Sequence, residues 1–278
     1  MELHGIATSI LSLPIPISVL TEGRSEAALL CREVNEEMAQ LRNKHPDRFG
    51  FFAALPFLED RQACIGEIRY AVDSLKADGV LLFTSYGEKY LGHPDFEYVW
   101  AELAVRTAVV FIHPTIEGAE KAIKDPFPVP RPLIDWTHET TRTALHLIST
   151  GTLRRNAGCK VILSHGGGTL PYVAGRAADL SIQMRLLDKP AGDFMEECRA
   201  FYFDIALAGY RGPLQLLLDF AQPEHVLYGT DYPFARDGVV AQQAVAINEI
   251  LEGRSLTAQV GWEAALLLFP RLCRTGES

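Results

Sequence analysis

Seven short apolar runs alternate along this chain with segments of helical apolar spacing, and that alternation leaves few folds open. The runs fall at 6–13, 49–55, 79–83, 109–113, 160–164, 201–204 and 226–228. The clearest, Val-Val-Phe-Ile at 109–112, has no charge between Arg106 and Pro114. It reads as a strand buried on both faces. Helical spacing follows nearly every run, at 25–41, 60–75, 95–106, 139–151, 172–187, 213–220, 239–251 and 256–269. In the first of these, Ala28, Leu29, Cys31, Val34, Met38 and Leu41 fall near one face. Alternating β and α implies a parallel sheet with helices outside it. A closed barrel of this kind has eight strands in about 250 residues. Seven units therefore leave an open doubly wound sheet, or a barrel with one unit missing ahead of the first run.

Three of the runs end in a polar group. The 109–112 run meets His113, the 161–164 run meets His165, and the 226–230 run meets Asp231. Taken singly, each is as well explained by a turn or a helix cap. Three at matching strand ends point to a site at the C-terminal mouth of a parallel barrel. His113, ahead of Pro114, suits a metal ligand through a neutral imidazole nitrogen. Asp231, in Leu-Tyr-Gly-Thr-Asp-Tyr-Pro-Phe, can bind a metal and also relay a proton. His165 opens Ser-His-Gly-Gly-Gly-Thr-Leu-Pro, whose glycines permit positive φ and close approach of a substrate to the backbone. An esterase oxyanion loop would need a Gly-x-Ser-x-Gly elbow, and a phosphate loop would need a lysine; neither is present.

The remaining candidates are weaker. Asp204 ends a run at a β-to-α junction, where a cap is the ordinary explanation. Glu2 and His4 form a Glu-x-His ahead of the first run rather than on it. His138 and Glu139 follow Trp136 and are candidates to line a pocket. His93, His146 and His225 read as solvated or packed. The 115–136 stretch, with prolines at 126, 128, 130 and 132, forbids a regular element. It is either a substrate loop or a surface excursion.

Composition narrows the partners. The chain has 278 residues, is 48% hydrophobic and carries a net charge of −9. That balance disfavours nucleic acid and anionic membrane surfaces. No apolar run approaches the ~20 residues of a spanning helix. The N-terminus lacks the pattern of a secretory signal. Five scattered cysteines with no Cys-x-x-Cys suit free thiols in a reducing compartment. The reading is one cytoplasmic domain, residues 1–278.

Several stretches together resemble one family. They are Val-Val-Phe-Ile-His-Pro-Thr (109–115), Ser-His-Gly-Gly-Gly-Thr-Leu-Pro-Tyr (164–172) and Leu-Tyr-Gly-Thr-Asp-Tyr-Pro-Phe (227–234). Arg-Phe-Gly-Phe-Phe-Ala-Ala-Leu-Pro (48–56), Leu-Phe-Thr-Ser-Tyr-Gly (82–87), Tyr-Leu-Gly-His-Pro (90–94) and Glu-Thr-Thr-Arg-Thr-Ala (139–144) support them. The set is similar to the amidohydrolase-related, metal-dependent decarboxylases, and within them to the fungal 6-methylsalicylate decarboxylases. The resemblance implies a TIM-type (β/α)8 barrel with one divalent metal ion, zinc or manganese, at its C-terminal mouth. It implies metal ligation by His113 and Asp231. His165 would bind or protonate the substrate, and Asp231 or His165 would deliver the proton. The implied partner is a small-molecule aromatic acid; the resemblance leaves a homodimer open.

One departure accompanies the resemblance. The family's first strand carries a His-x-His or Glu-x-His ligand pair, and no such strand is found here. The expectation is a barrel lacking its first strand and helix, roughly 30 residues, with a depleted metal site and little activity. A hydrolase of a lactone or related carbonyl compound, or an inactive paralogue, are the alternative functions. Phe83, Tyr86, Trp136 and Tyr232 are offered as ring-packing groups.

Overall fold

The computed structural model describes residues 1–16, 19–20, 24–115, 126–187 and 189–273. Its centre is a parallel sheet of seven strands among those residues: β1 (Ser9–Ser12), β2 (Phe49–Ala53), β3 (Gly79–Phe83), β4 (Val109–His113), β5 (Lys160–Leu163), β6 (Tyr202–Asp204) and β7 (Val226–Leu227). All seven correspond to runs read from the sequence. Their spatial order is their chain order. A doubly wound sheet reverses direction at a switch point; this one never does. The sheet is therefore wound one way, as a curled arc of a barrel. No ladder joins β1 to β7 among the described residues.

Side-chain alternation explains the two layers. Along β4, Val110 and Ile112 face the packed helices, while Val109 and Phe111 face the other side. The same alternation runs through Phe51 and Phe52, Val80 and Leu81, Val161 and Ile162, and Val226 and Leu227. This is the period of two that a pleated strand imposes. The helix-covered face holds the larger cluster. The inner face gathers Phe52, Leu81, Val109, Ile162 and Leu227 around Ala264, Leu268 and Phe269 from the C-terminal helix. Phe52 and Phe111 stack there at 5.4 Å across the intervening strand.

The helices depart from their sequence bounds in instructive ways. The 60–75 segment is an α-helix, Arg61–Arg69, capped by the Asp60 carboxylate on the Ala63 N–H at 3.1 Å, and runs into a π turn at Tyr70–Ser74. The 139–151 segment starts earlier, at Asp135, so Trp136 already lies in a first helical turn rather than in the loop. Its end is marked by Gly151 at φ 67°, the left-handed residue a helix terminus favours. Leu29, placed on the buried face of the first helix, is exposed. The helices Thr152–Arg155 and Ala191–Arg199 were not anticipated. Within the proline-rich stretch, residues 116–125 lie outside the described residues; Arg131–Leu133 forms a single 3-10 turn.

All five cysteines are free thiols. Burial pushes Cys31, Cys64, Cys159 and Cys198 up to about 12, so they are packing residues rather than nucleophiles. No helix among the described residues is long and apolar enough to cross a membrane.

Candidate metal centre

The site is built by three strand ends. His113 is the last residue of β4 and continues the register of Val109 and Phe111, so its ring points to the inner face at the rim. Its Nδ1–H donates to the Pro114 carbonyl at 2.9 Å, which leaves Nε2 as the open nitrogen. A net of hydroxyls holds the exit from this strand. The Thr115 N–H donates to Thr84 Oγ1 at 3.0 Å, and the Ser85 N–H donates to Thr115 Oγ1 at 3.0 Å. Thr143, on the Asp135–Ser149 helix, donates to the Thr84 carbonyl and fastens that helix to the tip of β3.

His165 follows β5 by two residues and stands at φ 56°, a strained value for a side chain with a Cβ. Its Nδ1–H donates to the Ala206 carbonyl at 3.2 Å. Its Nε2 is buried without a hydrogen-bond partner. Asp231, past the end of β7, also sits in the left-handed region, at φ 58°.

These three groups meet. One ligand atom from each of His113, His165 and Asp231 lies within 4.8 Å of the others, the one such group of acids, histidines and cysteines among the described residues. The two imidazole rings are 5.6 Å apart, edge to face. Burial, with a smaller contribution from the neighbouring His165, pulls His113 down to about 4, so it is neutral at ordinary pH and its Nε2 is a lone-pair donor. Burial also raises Asp231, against the pull of His165. Two imidazole nitrogens, one of them buried and unpartnered, and a carboxylate form a donor set that suits a divalent cation.

The glycines after His165 do something other than expected. Gly166, Gly167 and Gly168 all have positive φ. A Cβ on Gly168 would lie 2.0 Å from the Thr137 carbonyl oxygen, and one on Gly167 would lie 2.7 Å from the Phe203 ring. The space above these two glycines is filled by protein, so they serve the packing of the turn that presents His165 rather than close approach of a substrate.

Other candidates disperse. His4 Nε2 meets Asp237 at 2.9 Å. His138 is exposed and contacts Thr169 at 3.3 Å. Glu139 accepts from the Tyr90 hydroxyl at 2.7 Å and pairs with Arg142. His225 stacks on Tyr202, and His146 packs on Tyr90. Phe83 and Tyr86 belong to the core, with the Tyr86 ring wedged among Phe57, Phe83 and Phe96. Trp136 alone of the offered aromatics touches the site, its ring edge-on to His113 at 5.6 Å. Tyr232 beside Asp231 is 61% exposed.

Asp204 caps the turn after its strand and also reaches the neighbouring strand end. It is buried at the end of β6, and its Oδ1 accepts from the Ala206 N–H at 2.8 Å and from the His165 N–H at 3.3 Å. Burial lifts its carboxyl to about 6, partly opposed by His165. A sequence clue existed in Gly229, whose Cβ would come within 3.0 Å of that oxygen, but only the fold brings the two together.

Comparison with known proteins accords with this geometry. The family model described as "Amidohydrolase" matches residues 14–271. A 6-methylsalicylic acid decarboxylase of Aspergillus aculeatus is 43% identical, over 97% of this chain and 83% of its own length. A crystal structure of 2,6-dihydroxybenzoate decarboxylase, in complex with 2,6-dihydroxybenzoate, superimposes with a TM-score of 0.83 at 24% identity, covering 97% of this chain and 86% of the other. A dihydroxybenzoic acid decarboxylase from Polaromonas sp. JS666, with bound manganese and the inhibitor 2-nitroresorcinol, gives 0.78 at 23% identity, with 97% and 83% covered.

Proposed function

This chain belongs to the amidohydrolase family, and from that premise we propose that it is a metal-dependent, non-oxidative decarboxylase of an ortho-hydroxy aromatic carboxylic acid such as 6-methylsalicylate. The observation that carries the reading is the meeting of His113, His165 and Asp231, from three separate strand ends, within 4.8 Å. The name of the 43%-identical relative supports the substrate class.

In this reading His113 and Asp231 hold one divalent ion, zinc or manganese. When bound, the ion supplies Lewis acidity toward the charge that develops on the substrate's oxygens. The rest falls to the chain's own side chains. Trp136, edge-on to His113, limits where an aromatic ring can lie. His165 presents its unpartnered Nε2 to the substrate. A proton from Asp231, whose carboxyl burial raises, goes to the ring carbon that bears the carboxylate, where a C–H bond forms at the expense of the ring's electrons. The bond from that carbon to the carboxylate then breaks, its electron pair restores the aromatic ring, and carbon dioxide leaves.

The test is an assay of the purified protein, supplied with zinc or manganese, for carbon dioxide release from 6-methylsalicylate and 2,6-dihydroxybenzoate and for lactone hydrolysis. Carbon dioxide release is the expected result. Hydrolysis without it would assign a metal-activated water instead, and neither reaction, with no metal retained, would mark an inactive chain. Asp231→Asn is expected to lower kcat by roughly 10²-fold or more and to reduce bound metal measured by elemental analysis.

A further inference from the structure

We propose that Asp204 is the positioning residue that selects the tautomer of His165. One carboxylate oxygen does two jobs at once. It takes the His165 N–H at 3.3 Å, which pins the backbone of a residue held at φ 56°. It also takes the Ala206 N–H at 2.8 Å, which folds the turn after β6. The carbonyl of that same Ala206 faces His165 Nδ1 at 3.2 Å. A carbonyl only accepts, so Nδ1 must carry the proton. In the neutral ring Nε2, buried and unpartnered, is then the lone-pair nitrogen turned to the cluster with His113 and Asp231. Asp204 thus fixes both ends of the lever: the main chain that carries the ring and the acceptor that sets its proton.

Gly229 belongs to the same device. Its hydrogen faces Asp204, and a Cβ there would stand 3.0 Å from Oδ1 and 3.2 Å from Cγ. These are tighter than most real Cβ contacts, so a side chain at 229 would require the carboxylate to give by a few tenths of an ångström against its two donors. The glycine of the Leu-Tyr-Gly-Thr-Asp motif is thereby tied to His165 rather than to Asp231, two residues on. Asp204 touches neither substrate nor ion in this scheme; it acts through His165.

The proposal rests on the decarboxylase reading for its kinetic part only. The protein is labelled with 15N-histidine, His165 is assigned by comparison with the spectrum of His165→Gln, and ring nitrogen shifts report the tautomer without any substrate. The wild type is expected to show the Nδ1–H form. Asp204→Ala should mix or invert the tautomers and lower kcat about 10- to 100-fold with KM within about threefold. Asp204→Asn keeps an acceptor oxygen and should retain the Nδ1–H form and most of kcat. Wild-type Nε2–H, or an Asp204→Ala protein with the Nδ1–H form and kcat within about twofold of wild type, would overturn the proposal. Should Asp204→Ala fail to fold, Gly229→Ala carries the same two outcomes. If the wild type turns over no aromatic acid, the decarboxylase reading fails and the nitrogen shifts alone decide this one.

Discussion

His113 shows how burial keeps an imidazole neutral and fit for a ligand's role. An imidazole held near 4 by its surroundings stays unprotonated where a free histidine, with a pKa of about 6.5, would half-charge. The sign of the pH effect follows. As pH falls from about 6.5 to about 4, the unfolded chain takes up a proton that the folded chain refuses, so stability drops through that window. Metal-free wild type should lose up to about 3 kcal/mol there through this residue. His113→Gln lacks that loss, and its stability relative to wild type should rise by a similar amount between pH 7 and pH 4 in urea titrations. A constant difference across that range would refute the buried-neutral assignment. At this scale His113, His165 and Asp231 were legible because each is a polar residue where an apolar run stops. Asp204 was not, because an aspartate at a β-to-α junction looks the same whether it caps a helix or holds a neighbouring strand's histidine. Nor was the service of Gly167 and Gly168 legible, since the Phe203 ring and the Thr137 carbonyl come from distant parts of the chain.

Between elements, a few buried polar links set the spacing that apolar packing alone leaves loose. Asn35 in the first helix is fully buried. It accepts from the Ala54 N–H at 2.8 Å and donates to the Ala54 carbonyl at 2.9 Å, just past the end of β2. It also donates to Glu67 at 2.8 Å on the next helix, where Arg32 completes the pair. One side chain therefore registers two helices against one strand tip. Asn35→Ala strands a buried N–H, a carbonyl and a carboxylate oxygen together, and should cost about 2–4 kcal/mol in denaturant unfolding; a loss under about 1 kcal/mol would show that water takes its place. The strands were readable as elements because each is a compact apolar run. The helix Ala191–Arg199 escaped notice because only Phe194 and Cys198 among its residues are buried, too thin a stripe to stand out from loop. The π turns at Tyr70–Ser74 and Gln259–Glu263 keep an apolar spacing close to that of an α-helix, so pattern alone ran the helices through them.

Across the whole molecule, the direction of winding was the open question, and strand order answers it: seven neighbours in space are seven neighbours in sequence. Patterning could count the units but not say whether the sheet turned back, because both architectures use the same alternation. A clasp at the N-terminal rim ties the C-terminal segment to the starts of β2 and β3. Arg271 donates to Asp78 at 2.7 Å and to the Phe49 carbonyl at 3.3 Å, and Asp78, nearly inaccessible, also accepts from the Phe51 N–H at 2.9 Å. Arg271→Ala leaves that carboxylate buried beside the first turns of β2 and β3 and should cost about 3 kcal/mol. A change below about 0.5 kcal/mol, the size of a solvated surface pair, would show the clasp to be ornamental.

Phe269 and the helix before it fill the hollow of the curled sheet, against Phe52 and Leu81 synthesised some two hundred residues earlier. A nascent chain leaving the ribosome can therefore pack its outer helices long before its hollow has a lining. Until the segment around 264–271 emerges, the half-made protein carries a greasy concavity that a chaperone can hold or another chain can invade. Yield in the cell should thus fall when those closing residues arrive late.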